Sequence, residues 1–220
     1  MQTPASPDLE RYYHNHQMLA ARLDWLWTKF VEYEGTTTRE LAELESLVLQ
    51  VRLVCEHYAL LMQSACFQSL PGSERSKANQ YDAIRVLASV EQSFPHVCIV
   101  PLQEVRVENG VPTLMTNATW KIDVGLFQNV YQRGGNFLHV TNRDADVARL
   151  EQYLNNAVNL VAQIIFVTWR HVVLLDGLAL QIVSQVLPDK RHIGFVLQAI
   201  GESVPDLRAV RLPQSNAGGP

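Results

Sequence analysis

Three polar residues interrupt the most apolar long stretch of the chain, Thr37 to Gln68: Arg52, Glu56 and His57. Arg52 and Glu56 are four residues apart, the spacing that puts two side chains on one helix face and lets a guanidinium meet a carboxylate. Arg52 and His57 make an Arg-x4-His pair. In a phosphodiester-cleaving site, such a histidine would act as general acid or base on a 2'-hydroxyl. The arginine would stabilise the developing negative charge. Residues five apart lie about 140° apart around an ideal helix, so that chemistry requires both to converge on a groove, for instance at a homodimer interface. A further candidate is His139, which follows Gly134-Gly135; a glycine pair permits close backbone approach to a ligand. The expected binding cluster is Arg52, Glu56 and His139. A guanidinium carries five donors and one carboxylate does not satisfy them all, so the glycine turn and His139 are expected to supply the rest.

The elements that must hold these residues are legible in part. In the central stretch, Leu41, Leu44, Val48, Val51, Cys55, Tyr58, Met62 and Ala65 alternate in steps of three and four, a core-facing helical stripe. Leu49, Leu53 and Leu60 close much of the opposite side, so this helix is expected at the domain centre. Thr37 with Glu40 reads as its capping box. Before it, Ser6-Pro7-Asp8 starts a helix that runs to about Glu34, with Leu9, Tyr12, His16, Leu19, Leu23, Leu26 and Phe30 inward and Gly35 as the left-handed cap. A short connection makes the two helices antiparallel neighbours. A third helix is expected over Glu74 to Gln92, with Tyr81, Ile84, Leu87, Ala88 and Val90 inward.

After Pro95 the pattern changes to extended segments. Val105-Arg106-Val107 and Val111 to Met115 flank Asn109-Gly110, a hairpin signal. Helix returns over Ile122 to Gln132 and is expected to end at Gly134-Gly135. Asp144 then caps a helix to about Trp169, with Val147, Leu150, Leu154, Val158, Val161 and Ile165 inward. His171 to Leu175, Leu178 to Val186 and His192 to Ile200, separated by turn signals, fit an antiparallel meander. The expected fold is α+β: a mainly helical bundle (6–169) with a long central helix, a mid-chain hairpin and a small antiparallel C-terminal sheet (171–200). The whole forms one domain over 6–212, with 1–5 and 213–220 as disordered tails.

Bulk properties narrow the classes. The chain has 220 residues, 47% hydrophobic, and a net charge of −4. That charge sets up no global field for nucleic acid or an anionic membrane. The cysteines, Cys55, Cys66 and Cys98, are odd in number and lack metal-ligand spacing, which favours reduced thiols in a reducing, cytoplasmic compartment. The first residues, MQTPASPDLE, have no basic and apolar regions of a secretory signal. The longest apolar run, Ala157 to Val167, is too short to span a bilayer. The seven histidines are dispersed, and no P-loop, G-x-G-x-x-G or H-E-x-x-H occurs, so no metal or cofactor is expected. Trp25, Trp27, Trp120 and Trp169 are expected as core or interface anchors, because the surrounding sequence is not basic.

Two resemblances add to this. The run LESLVLQVRLVCEHYALLMQ, with Arg52 and Glu56, and the later NVYQRGGNFLHVTN, with Gly134, Leu138 and His139, resemble an uncharacterised bacterial, mainly helical family. Its members carry Arg-x3-Glu on a long helix and Gly-x3-Leu-His later. Asn142 is followed here by Arg143 where that family often continues with Pro. More loosely, Arg52 to His57 resembles the catalytic motif of HEPN domains, helical bundles of which many are metal-independent ribonucleases. Leu53 stands where active members commonly carry a polar residue. The leading expectation is a non-catalytic binding or interaction protein whose partner is a protein or small ligand, with a homodimer open and no membrane. The alternative is a HEPN-like endoribonuclease in a defence or toxin system, for which Arg52 and His57 are catalytic and RNA is the partner. Whether the chain is an enzyme stays open.

Overall fold

A computed structural model describes residues 7–33, 40–66, 82–93, 99–108, 111–116, 121–138, 147–175, 178–186 and 192–199. Among the described strand residues, side chains are defined at Ile99, Pro101, Arg170, His171 and Val173. His139, the connections after the first, second and fourth helices, and both tails lie outside the described residues.

Among the described residues five helices dominate: α1 (Pro7–Tyr33), α2 (Leu41–Cys66), α3 (Ala83–Ser93), α4 (Val124–Leu138) and α5 (Val147–Trp169). Pro7 opens α1, where its missing N–H costs nothing. The carbonyl of Glu40 accepts from the amides of Glu43 and Leu44 at 3.0 and 3.2 Å, so α2 begins beside Glu40. Among the described residues, two helices carry aspartate caps. Asp82 Oδ1 accepts from Ile84 N at 3.0 Å, and Asp123 Oδ1 accepts from Leu126 N at 3.0 Å; each satisfies an amide that the first turn leaves orphaned.

The order of contacts fixes the packing. Asn15 donates to Ser64 Oγ and Arg22 donates to Gln50, both at 2.7 Å, so α2 numbering falls as α1 numbering rises. Tyr58 packs on Phe127 with ring centroids 6.2 Å apart, while Arg52 reaches Tyr131, so α4 also runs antiparallel to α2. Asp123 N donates to Gln163 at 2.9 Å, and Phe137 meets Tyr153 edge-on at 5.4 Å, which makes α5 antiparallel to α4. As the stripe predicts, α2 is the shared partner: Leu44, Leu47, Val48, Val51, Val54, Cys55, Tyr58, Ala59 and Leu61 are buried.

Several faces differ from the sequence expectation. Leu41 and Leu49 are exposed, so α2 keeps a narrow solvent edge. On α3, Val86 faces in with Leu87 and Val90, while Ala88 is exposed. On α5, Val147 is exposed, and Tyr153, Ala157, Leu160 and Ile164 join Leu150, Leu154 and Val161 in the core. Arg149, Gln152, Asn155 and Asn159 form the exposed face of that helix, so the stripe is read correctly at Leu150, Leu154 and Val161.

Strand segments are β1 (Ile99–Glu108), β2 (Val111–Thr116), β3 (Arg170–Leu175), β4 (Leu178–Val186) and β5 (His192–Ala199). Ile99 and Val173 are buried against the bundle.

Leu44 lies at 0% exposure inside α2. Leu44→Ala should lower unfolding free energy by about 2–5 kcal/mol, the cost of lost burial plus a cavity. Urea denaturation reads this directly, and an unchanged midpoint would remove α2 from the core.

Candidate functional site

Of the residues singled out by sequence, the structure brings Arg52 and Glu56 together and adds Tyr131, which the sequence did not flag. Arg52 Nε donates to Glu56 Oε1 at 3.2 Å and Arg52 Nη2 donates to Tyr131 Oη at 3.2 Å. Tyr131 Oη donates to the same Glu56 oxygen at 3.3 Å. The guanidinium carbon sits 4.5 Å from the centroid of the Tyr131 ring. Burial raises the Tyr131 pKa, Arg52 lowers it, and Glu56 and Asp82 raise it again, so the phenol stays a neutral donor. The three groups form a half-buried latch between α2 and α4.

Gly134 and Gly135 are not the helix terminator that the sequence pattern suggested. They lie inside α4, which continues to Leu138. Both are close-approach positions. A Cβ on Gly135 would fall on Arg52 Nη1, and one on Gly134 would come 2.6 Å from Tyr153 Oη. A methyl group at either position would displace the end of the Arg52 or Tyr153 side chain from where it lies against the α4 backbone.

His57 does not join Arg52. Its pKa is lowered first by burial and then by Arg22 of α1, with His14 adding to the effect and Glu56 opposing it. The side chain therefore belongs to the α1 side of α2, while Arg52 faces α4. Among the described residues, its buried Nδ1 has no hydrogen-bond partner. Cys55, between the two directions, is fully buried and free, and burial pushes its thiol pKa up. It is no nucleophile at neutral pH.

A second polar cluster joins α1, α5 and β3. Tyr12, His16, Thr168 and His171 are all buried. His171 Nδ1 lies 3.0 Å from the Thr168 carbonyl, so Nδ1 carries the proton and donates, and Nε2 accepts from Tyr12 Oη. His16 Nε2 donates to the same carbonyl at 3.3 Å. Thr168 Oγ1 returns its proton to the Ile164 carbonyl at 2.7 Å. Burial, aided by the neighbouring His16, pushes the His171 pKa down to about 3, so His171 is neutral here. Tyr12 and His16 were legible as inward residues of the first helix, but their meeting with His171, 155 residues beyond His16, is a tertiary property that no local pattern carries.

The junction forms the floor of a groove between α1 and α5 with a volume of about 390 Å³. His16 and Thr168 belong to both. Leu19, Leu23, Ala162 and Ile165 form the walls, and Trp27, Phe166 and Trp169 stand at the rim, 43%, 51% and 55% exposed. Asp24 also lines it. Large side chains exposed together over a concave site are what ligand grooves present. No group of histidines, cysteines and carboxylates among the described residues could hold a metal ion. No described helix is long and apolar enough to cross a membrane.

Comparison with protein-family models, curated proteins and solved structures finds no match.

The junction makes a pH prediction. The folded-state pKa of His171 lies near 3, below its ordinary 6.5. Between those values the unfolded chain binds the proton and the folded chain does not, so stability falls as pH drops through that window. Denaturation midpoints at about pH 7 and about pH 5 should show this loss, and His171→Gln should reduce it. An identical pH dependence in both proteins would show that His171 is not buried as a neutral base.

Proposed function

We propose that the protein is a non-catalytic binding protein that takes a small apolar ligand in the groove between α1 and α5. The observation that carries this reading is the clustering of Trp27, Phe166 and Trp169, all substantially exposed, around a concavity with apolar walls. Leaving such surface in water is unfavourable by about 25 cal/mol per Å², and a ligand that covers it recovers that free energy. The volume falls in the roughly 300–1,000 Å³ range of small-molecule sites.

The ribonuclease reading has less support. Arg52 already spends Nε on Glu56 and Nη2 on Tyr131, and His57 lies toward α1. Arg52 and Glu56, the landmarks of the bacterial-family resemblance, enter the present reading as the latch that holds α4 on α2. The architecture belongs to the same proposal: an α+β domain whose strands, in the order β2-β1-β3-β4-β5, form one antiparallel sheet against the bundle. A cytoplasmic setting is part of it as well, supported by the buried free thiol of Cys55.

Nile red, a neutral apolar dye, tests the site. It should bind saturably with one site per chain. Ala162→Trp fills the groove from its α5 wall and should weaken binding by about tenfold or more, a change of about 1.4 kcal/mol, while the circular dichroism spectrum stays unchanged. Equal binding by the folded variant would place the ligand elsewhere.

A further inference from the structure

We infer that the groove is selective for an apolar organic cation, with Asp24 as its counter-ion and the rim aromatics as its walls. This rests on the α1–α5 groove being the binding site, and it names the chemistry of what binds there. Asp24 is the one carboxylate among the residues lining the groove, and neither Lys nor Arg lines it. Among the described residues, no ion pair engages Asp24. Asp24 is partly exposed and lines the groove beside apolar walls, where it offers a ligand cation a counter-charge. An anionic ligand would meet repulsion from Asp24 with no positive side chain to offset it.

The aromatics point the same way. The faces of Trp and Phe carry the negative end of the ring quadrupole and attract cations, Trp most strongly. Trp27 lies three residues after Asp24, less than one helical turn, so the two share a face of α1. Phe166 and Trp169 have the same spacing on α5, across the groove. A quaternary ammonium with an apolar substituent fits this set. Its charge needs no dedicated hydrogen-bond acceptor, and its methyl groups lie against aromatic faces.

The experiment compares benzyltrimethylammonium with neopentylbenzene, its neutral carbon isostere, by tryptophan fluorescence titration of the full chain. The cation should bind about tenfold more tightly. Asp24→Asn should weaken that preference, leaving only the contribution of the aromatic faces, and added salt should reduce it in the unaltered protein, which gives a readout even where the variant folds poorly. Equal affinities for the two probes would overturn the cation inference while leaving the groove as the binding site. Binding of neither probe would remove both. A preference that survives intact in folded Asp24→Asn would overturn the role of Asp24.

Discussion

The buried hydrogen bonds among Tyr12, His171, Thr168 and His16 constrain everything around the groove. They tie the first helix to the end of the last helix and to the strand that follows it. Each bond is worth only about 1 kcal/mol net, but breaking one leaves a buried polar atom unpaired at a cost of about 1–3 kcal/mol. The junction therefore acts mainly by exclusion, because alternative placements of α1 against α5 would orphan these groups. Beyond it, α1 and α5 are lined by Leu19, Leu23, Ile165 and Ala162 without closing on each other, and the groove is the space that remains.

The opposite side of α2 is held by a different device. Gly134 and Gly135 let α4 approach closely enough for Tyr153 and Arg52 to lie against its backbone. Arg52 then spans from Glu56 on its own helix to Tyr131 on the next. An arginine suits this because its planar fork serves two acceptors in fixed directions, which a lysine ammonium cannot do. Its side chain is 29% exposed and that of Glu56 24%, enough to discount the pair as a large source of stability. Its contribution is to set the register of α4 on α2, and through α4 the position of α5.

How far the sequence revealed this depended on whether the signal was local. Arg52 and Glu56 were readable because the i,i+4 spacing lies within one helix. Their third member, Tyr131, is 79 residues from Arg52, and nothing in the sequence marks it. Gly134-Gly135 was misread because glycine serves both helix ends and close packing, and only the neighbouring helices tell these apart. The burial of α2 could be read from its stripe. The α5 stripe was readable at Leu150, Leu154 and Val161 and failed at Val147 in the first turn, and Phe166 and Trp169, which line the groove, lie outside that stripe. The tryptophans were expected as core or interface anchors, and Trp25, Trp27 and Trp169 are exposed rather than in the core. Their convergence with Asp24 is a tertiary property.

The central claim is that Trp27 and Trp169, from opposite ends of the chain, form one ligand site. Fluorine NMR of the protein labelled with 5-fluorotryptophan, with signals assigned through single Trp→Phe variants, addresses it directly. On addition of benzyltrimethylammonium, the Trp27 and Trp169 resonances should shift together along one saturation curve. Trp25 is also exposed but does not line the groove, so its resonance should stay in place. Shifts of Trp25 matching those of Trp27, or movement of Trp27 without Trp169, would contradict the account.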